Sequence, residues 1–199
     1  MAHTLRPFRD YNEHDVVNLF AYDGQQDANG VIAVAGTVVK VTGNGFQPVV
    51  SSSALGGTGL LGTVPVDMAG MVGAGFANTV SNRYALTAKV AAAVGTDSAP
   101  LGITLLSVQE LDENGEKLVF NPRKAAEKGV VVSGQGVPVL TKGIVVYSGS
   151  EIDSSKNVGA GVYVSASTPG DLSTTAVGNK VGTLLSKPVN GVALIKLSF

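Results

Sequence analysis

The runs VPVLTKGIVVYS (137–148), GVYVSAS (161–167), KVGTLLS (180–186) and GVALIKLSF (191–199) decide the fold class of this chain. Each is short and rich in Val, Ile and Leu, and VVVS (130–133) precedes the set. Gly, Asn, Asp, Ser or Pro stands in every gap, which is how turns are written between strands. Several short strands at this spacing indicate a small β-barrel or sandwich over residues 129–199. The expected fold is therefore mainly β. The barrel or sandwich at the C-terminal side is preceded by a second β-rich region (25–128) with one short helix, and by an extended N-terminal arm (1–24).

Moving upstream, Asn121 can cap a helix, Pro122 suits its first position and Gly129 can end it, so a helix of about two turns is expected over 122–128. Before it, LGITLLSVQEL (101–111) reads as a strand, and Asp112-Glu113-Asn114-Gly115 as a tight hairpin turn. Residues 117–120 would then be the return strand. Residues 82–94 (NRYALTAKVAAAV) alternate well enough for a strand, although their alanines also suit a helix. VIAVAGTVVKVTGNG (31–45) reads as one long strand or a strand pair, after a turn at 24–30. The Gly/Ser-rich excursion at 51–75 is longer than most loops of compact domains, and such loops are usually functional or partly mobile. A faint internal echo relates 72–76 to 158–162 and 101–107 to 181–186. It marks two related β units, or it is a coincidence of Gly/Val/Ala-rich composition.

A chain of 199 residues can bury a substantial core, and its lack of cysteine excludes disulfides, Cys-ligated zinc and thiol nucleophiles. Its 26 glycines and 15% charged residues suit short strands joined by tight turns, and its 44% hydrophobic content argues against disorder. The net charge of −1 argues against nucleic acid as the main partner. No signal peptide is evident in MAHTLRPFRD, and the apolar stretch at 68–77 is too short and glycine-rich to span a membrane. No membrane association and synthesis in the cytoplasm are expected.

The usual catalytic apparatus is missing. His3 and His14 are the two histidines, both in the N-terminal segment and away from any expected scaffold. His14 lies between Glu13 and Asp15, but neighbours on an extended chain point to opposite sides and do not converge on one metal ion. No Gly-x-Ser-x-Gly elbow is present, and Ser51-Ser52-Ser53 reads as loop. Asp112 and Glu113 sit at an expected hairpin tip. The match of 57–62 (GTGLLG) to a dinucleotide fingerprint has no strand before it and a proline soon after. No enzyme activity, cofactor or metal is expected.

The N-terminal segment concentrates aromatics and charges. It reads either as a terminus with a few anchoring aromatics or as an arm that docks on a neighbour. Arg6, Phe8, Arg9, Tyr11, Phe20 and Tyr22 are the candidate contact residues, the aromatics as anchors and the charges fixing register. On the docking reading, removing residues 1–22 should leave the barrel folded.

The strand-turn units VPVLTKGIVVY (137–147), GAGVYVSASTPGDLSTTAVGN (159–179) and VGTLLSKPVNGVALIKL (181–197) resemble the small β-barrel of tailed-bacteriophage capsid decoration, or cement, proteins. The opening LRPFRDYNEHDVVNLFAYDG (5–24) resembles N-termini of phage virion structural proteins. The resemblance covers about the last third of the chain and its first twenty-odd residues, and residues 51–94 depart from the short form of the family. It implies a homotrimer on the outer surface of an icosahedral virion, clamping neighbouring subunits of the major capsid protein. The alternative is another virion or cell-surface structural or adhesion module, such as a head-fibre base or tail component.

Overall fold

The computed structural model describes residues 3–8, 10–18, 20–25, 27, 30–42 and 89–199. Within them the fold is mainly β, with fifteen strands in three sheets and one short α-helix. The N-terminal segment supplies β1 (Thr4–Pro7), β2 (Val16–Val17) and β3 (Ala21–Tyr22). The middle of the chain supplies β4 (Val31–Ala33), β5 (Val38–Thr42), β6 (Lys89–Ala92), β7 (Pro100–Thr104) and β8 (Ser107–Gln109). Beyond the helix come β9 (Val130–Val132), β10 (Val139–Leu140), β11 (Lys142–Ser148), β12 (Gly161–Val164), β13 (Leu172–Ser173), β14 (Lys180–Leu184) and β15 (Val192–Ser198).

The first sheet has the order β1-β11-β15-β14-β12-β13 and is antiparallel throughout. Four of its strands come from the C-terminal runs and β13 from the gap between two of them; the sixth is β1, so the N-terminal segment completes this sheet. The second sheet runs β2-β10-β7-β5-β6-β3, antiparallel except where β3 lies parallel to β6. The third is the small sheet β4-β8-β9. On β15, Ala193, Ile195 and Leu197 are buried while Val192, Lys196 and Ser198 are exposed, the two-residue period of a strand with one face in a core. The main core lies between the first two sheets: Val145, Tyr147, Ile195 and Leu197 meet Val38, Ile103 and Leu140.

The helix over Pro122–Lys128 forms as its sequence dictates. Asn121 Oδ1 accepts the amide of Lys124 at 3.2 Å, and Gly129 closes the helix at φ 63°. The turn before it is held by Asp112, whose carboxylate accepts the amides of Asn114 and Glu116 and the ammonium of Lys124. Lys124 and Lys128 also reach Glu113, whose carboxyl falls to about 2, chiefly through its hydrogen bond with Lys124.

Two expectations are corrected. Residues 117–120 make no return strand: Lys117 forms a single bridge to Leu111, and Leu118–Phe120 wind into a 3-10 turn with Leu118 buried. Asn121 then bonds back to the Leu118 carbonyl and commits the chain to the helix. The 101–111 run is two strands in different sheets; 31–42, for which one strand or two were open, is likewise two strands in different sheets. Both break at one place, where Gly36 (φ 97°) donates to the Thr104 carbonyl and the Ala35 amide to Ser107 Oγ. A left-handed residue there suits glycine and lets both runs cross between sheets together. The strand expected in 82–94 is β6 in its described part; residues 82–88, the 51–75 excursion, the 57–62 motif, the serines 51–53, the stretch 68–77 and the 72–76 half of the echo lie outside the described residues. No helix among the described residues is long and apolar enough to cross a membrane.

Gly102 is a point of close approach, where a Cβ would collide with the Leu140 carbonyl oxygen on β10. Backbone of a central strand cannot yield as a flexible side chain would. Gly102→Ala is therefore expected to destabilise the protein by about 2 kcal/mol or more, read as a lower urea midpoint with unchanged slope. Gly115→Ala meets nothing within 4 Å and should show only the cost of its positive φ.

Candidate functional site

The N-terminal segment holds the candidate contact residues, and the structure divides them. Phe20 is buried with Val39, Val90 and Val139, and Tyr22 packs against the same cluster. Tyr11 lies half-buried beside the main core and donates its hydroxyl to the Ile144 carbonyl at 2.8 Å. These three side chains tie the segment to its own body. Arg6 and Phe8 instead face outward, Phe8 with 57% of its surface exposed. They stand on and just beyond β1, an edge strand of the first sheet. Arg9 lies outside the described residues.

The segment's role in the body also corrects the expectation for its removal. Residues 3–22 contribute three strands and the buried His3, Phe20 and Ala21. Deleting them would strip one strand from the first sheet and two from the second, and open the core.

His3 is the feature that sequence reading missed. Its imidazole is buried, stacked on Tyr147 with ring centroids 5.9 Å apart. Nδ1 lies 2.5 Å from Asp171 Oδ1, a close polar contact without the alignment of a hydrogen bond and an ion pair only when the imidazole is protonated, and Nε2 is 3.3 Å from Thr37 Oγ1. The cluster joins four remote parts of the chain: the start of β1, the approach to β5, β11 and the approach to β13. Tyr147 is locked in turn, its hydroxyl oxygen accepting the Leu172 amide at 3.0 Å while burial pushes its ionisation up. Burial lowers the His3 pKa and outweighs the opposing pull of Asp171. Nothing near His3 in sequence signals this, because every partner is remote. His14, by contrast, is exposed, as the sequence suggested.

A shallow cleft of about 670 Å3 is lined by Lys40, Thr42, Asp97, Ser98 and neighbours. Lys40 Nζ and Asp97 Oδ1 are 2.7 Å apart in it. Burial pushes the Asp97 carboxyl up, but hydrogen bonds from Lys40 and the Val94 amide outweigh it and hold the group below its usual range. The pair neutralises itself, and no histidine lines the cleft. Among the described residues no group of three or more His, Asp or Glu side chains could hold a metal ion.

Two expectations follow. Phe20→Ala should cost about 3 kcal/mol, whereas Phe8→Ala should change stability by no more than about 0.5 kcal/mol; urea unfolding of the two variants separates anchor from free surface. For His3, the unfolded chain binds the proton more readily than the folded one, so stability rises with pH across this titration. Wild type should lose stability as pH falls through 6.5, the ordinary histidine value. His3→Gln lacks this part of the decline, so unfolding of both proteins between pH 7 and pH 5 measures it directly. No protein-family model, curated protein or solved structure matches the chain.

Proposed function

We propose that this chain is a structural virion protein that decorates the outer surface of an icosahedral phage capsid and clamps neighbouring subunits of the major capsid protein, without catalysis. The observation that carries the reading is the division of the N-terminal segment. Tyr11, Phe20 and Tyr22 fasten it to the body, and this leaves Arg6 and Phe8 outward beside an open sheet edge. An aromatic and an arginine on rigid backbone are the residue types that anchor protein interfaces. A body of three sheets with an interlocked N-terminus suits a load-bearing part. The likeness of residues 137–197 and 5–24 to decoration proteins supports the same reading. Many copies on one shell turn a modest single-site affinity into firm attachment.

The test is co-sedimentation of the full chain with expanded, undecorated phage shells, together with its solution mass. Saturable binding and a mass three times 20.1 kDa are the expected results. Phe8→Ala should weaken shell binding by about 1.4 kcal/mol per site, roughly tenfold, with the fold intact. Absence of shell binding together with attachment to bacterial surface glycans would instead favour a head-fibre base, tail component or adhesion module.

A further inference from the structure

The first sheet buries one face against the second sheet; among the described residues its other face packs on no core cluster and combines apolar with cationic side chains. Strand alternation places Ile144 and Val146 of β11 on it, opposite Lys196 and Leu194 of β15, with Val192 at one end. Val192 is 40% exposed and the other three apolar residues are half-buried. None of the four packs on a core cluster.

Around this apolar stripe stand Arg6 on β1, Lys142 on β11, Lys196 on β15 and Lys180 on β14, all exposed. None forms an ion pair with a described residue. The three carboxylates of residues 129–199 are engaged elsewhere: Asp171 with His3, Glu151 with Ser165 and Ser167, and Asp153 with Ser155. The face is thus an apolar centre with a cationic rim and no acid, on a chain whose net charge is −1.

We propose that this face docks on a carboxylate-rich surface of another protein, with acids meeting the four cations around an apolar contact at Val146 and Leu194. The proposal rests on the reading that the chain binds a protein shell, and it names the chemistry of that partner. Apolar centre and polar rim is the anatomy of a protein–protein contact, whereas a phosphate-binding face is polar throughout. Segment 43–88 carries one acid, Asp67, against the four cations of this face. Strands of four, seven, seven and five residues, at about 3.3 Å per residue and about 4.8 Å between strands, make a patch of about 360 Å2, under half of the roughly 800 Å2 that one partner contributes to a stable interface. One copy alone binds weakly, and an array of copies on a repeating acidic surface holds by avidity.

The test measures binding of the full chain to a soluble glutamate–tyrosine copolymer, beside duplex DNA and phosphatidylserine vesicles. Salt-sensitive copolymer binding is expected, at least tenfold weaker in Lys196→Glu and weaker also in Leu194→Ser, with DNA and vesicles bound less well. Lys196 is exposed, so its replacement leaves the core intact, and Lys196→Gln should fall between. The proposal is overturned by copolymer binding that Lys196→Glu leaves unchanged, by no copolymer binding, or by preference for DNA or vesicles. Self-association that Lys196→Glu abolishes also overturns it, since the occupant would then be a second copy. Shell binding that survives Lys196→Glu defeats this inference alone. Copolymer binding without shell binding defeats the decoration reading alone.

Discussion

Seven consecutive residue pairs, from Lys142↔Ser198 to Ser148↔Val192, join β11 to β15. The rest of the molecule is arranged around that ladder. Its register sends Val145, Tyr147, Ala193, Ile195 and Leu197 into the main core and turns Ile144, Val146 and Lys196 outward. A slip of one residue would exchange the two faces, burying lysine and exposing the core set. The second sheet packs on the inward side, β1 and β14 pair along its flanks, and Tyr147 fixes the site where His3 is seated. Both the interior and the outward cationic face are consequences of this one alignment.

The parts that sequence reading reached are those whose signals are local. The helix at 122–128 carries its own cap, first-turn proline and terminal glycine, and the C-terminal strands carry their own turns. What it did not reach depends on remote partners. The bends at residues 35–37 and 105–106 interrupt mostly apolar runs, and they exist because the two runs brace each other there. The two-residue strands β2, β3, β10 and β13 are too short to show a period. The candidate site was half legible: aromatic density marked the N-terminal segment, but whether each ring faces its own body or solvent depends on strands elsewhere in the chain, from β5 to β11. His3 was illegible for the same reason, since Thr37, Tyr147 and Asp171 are assembled only by the complete fold.

The N-terminal segment therefore serves two ends. Phe20, Tyr11 and His3 give it the cohesion of a core element, and Arg6 and Phe8 give it a surface. An arm attached only by a flexible hinge would lose conformational entropy when it docks on a neighbour. Here most of that ordering has already taken place within the fold, and the outward residues are held on fixed backbone.

The position of β15 constrains how the protein is made. This strand comes late in the chain yet lies inside the first sheet, between β11 and β14. Until residue 198 has left the ribosome, β11 and β14 have no common neighbour and the first sheet cannot close, although β1 can already pair with β11. Closure of the first sheet is then slow, because its decisive contacts link distant parts of the chain. A chain broken off between β14 and β15 would carry two unpaired strand edges, one on β11 and one on β14, the kind of species that aggregates.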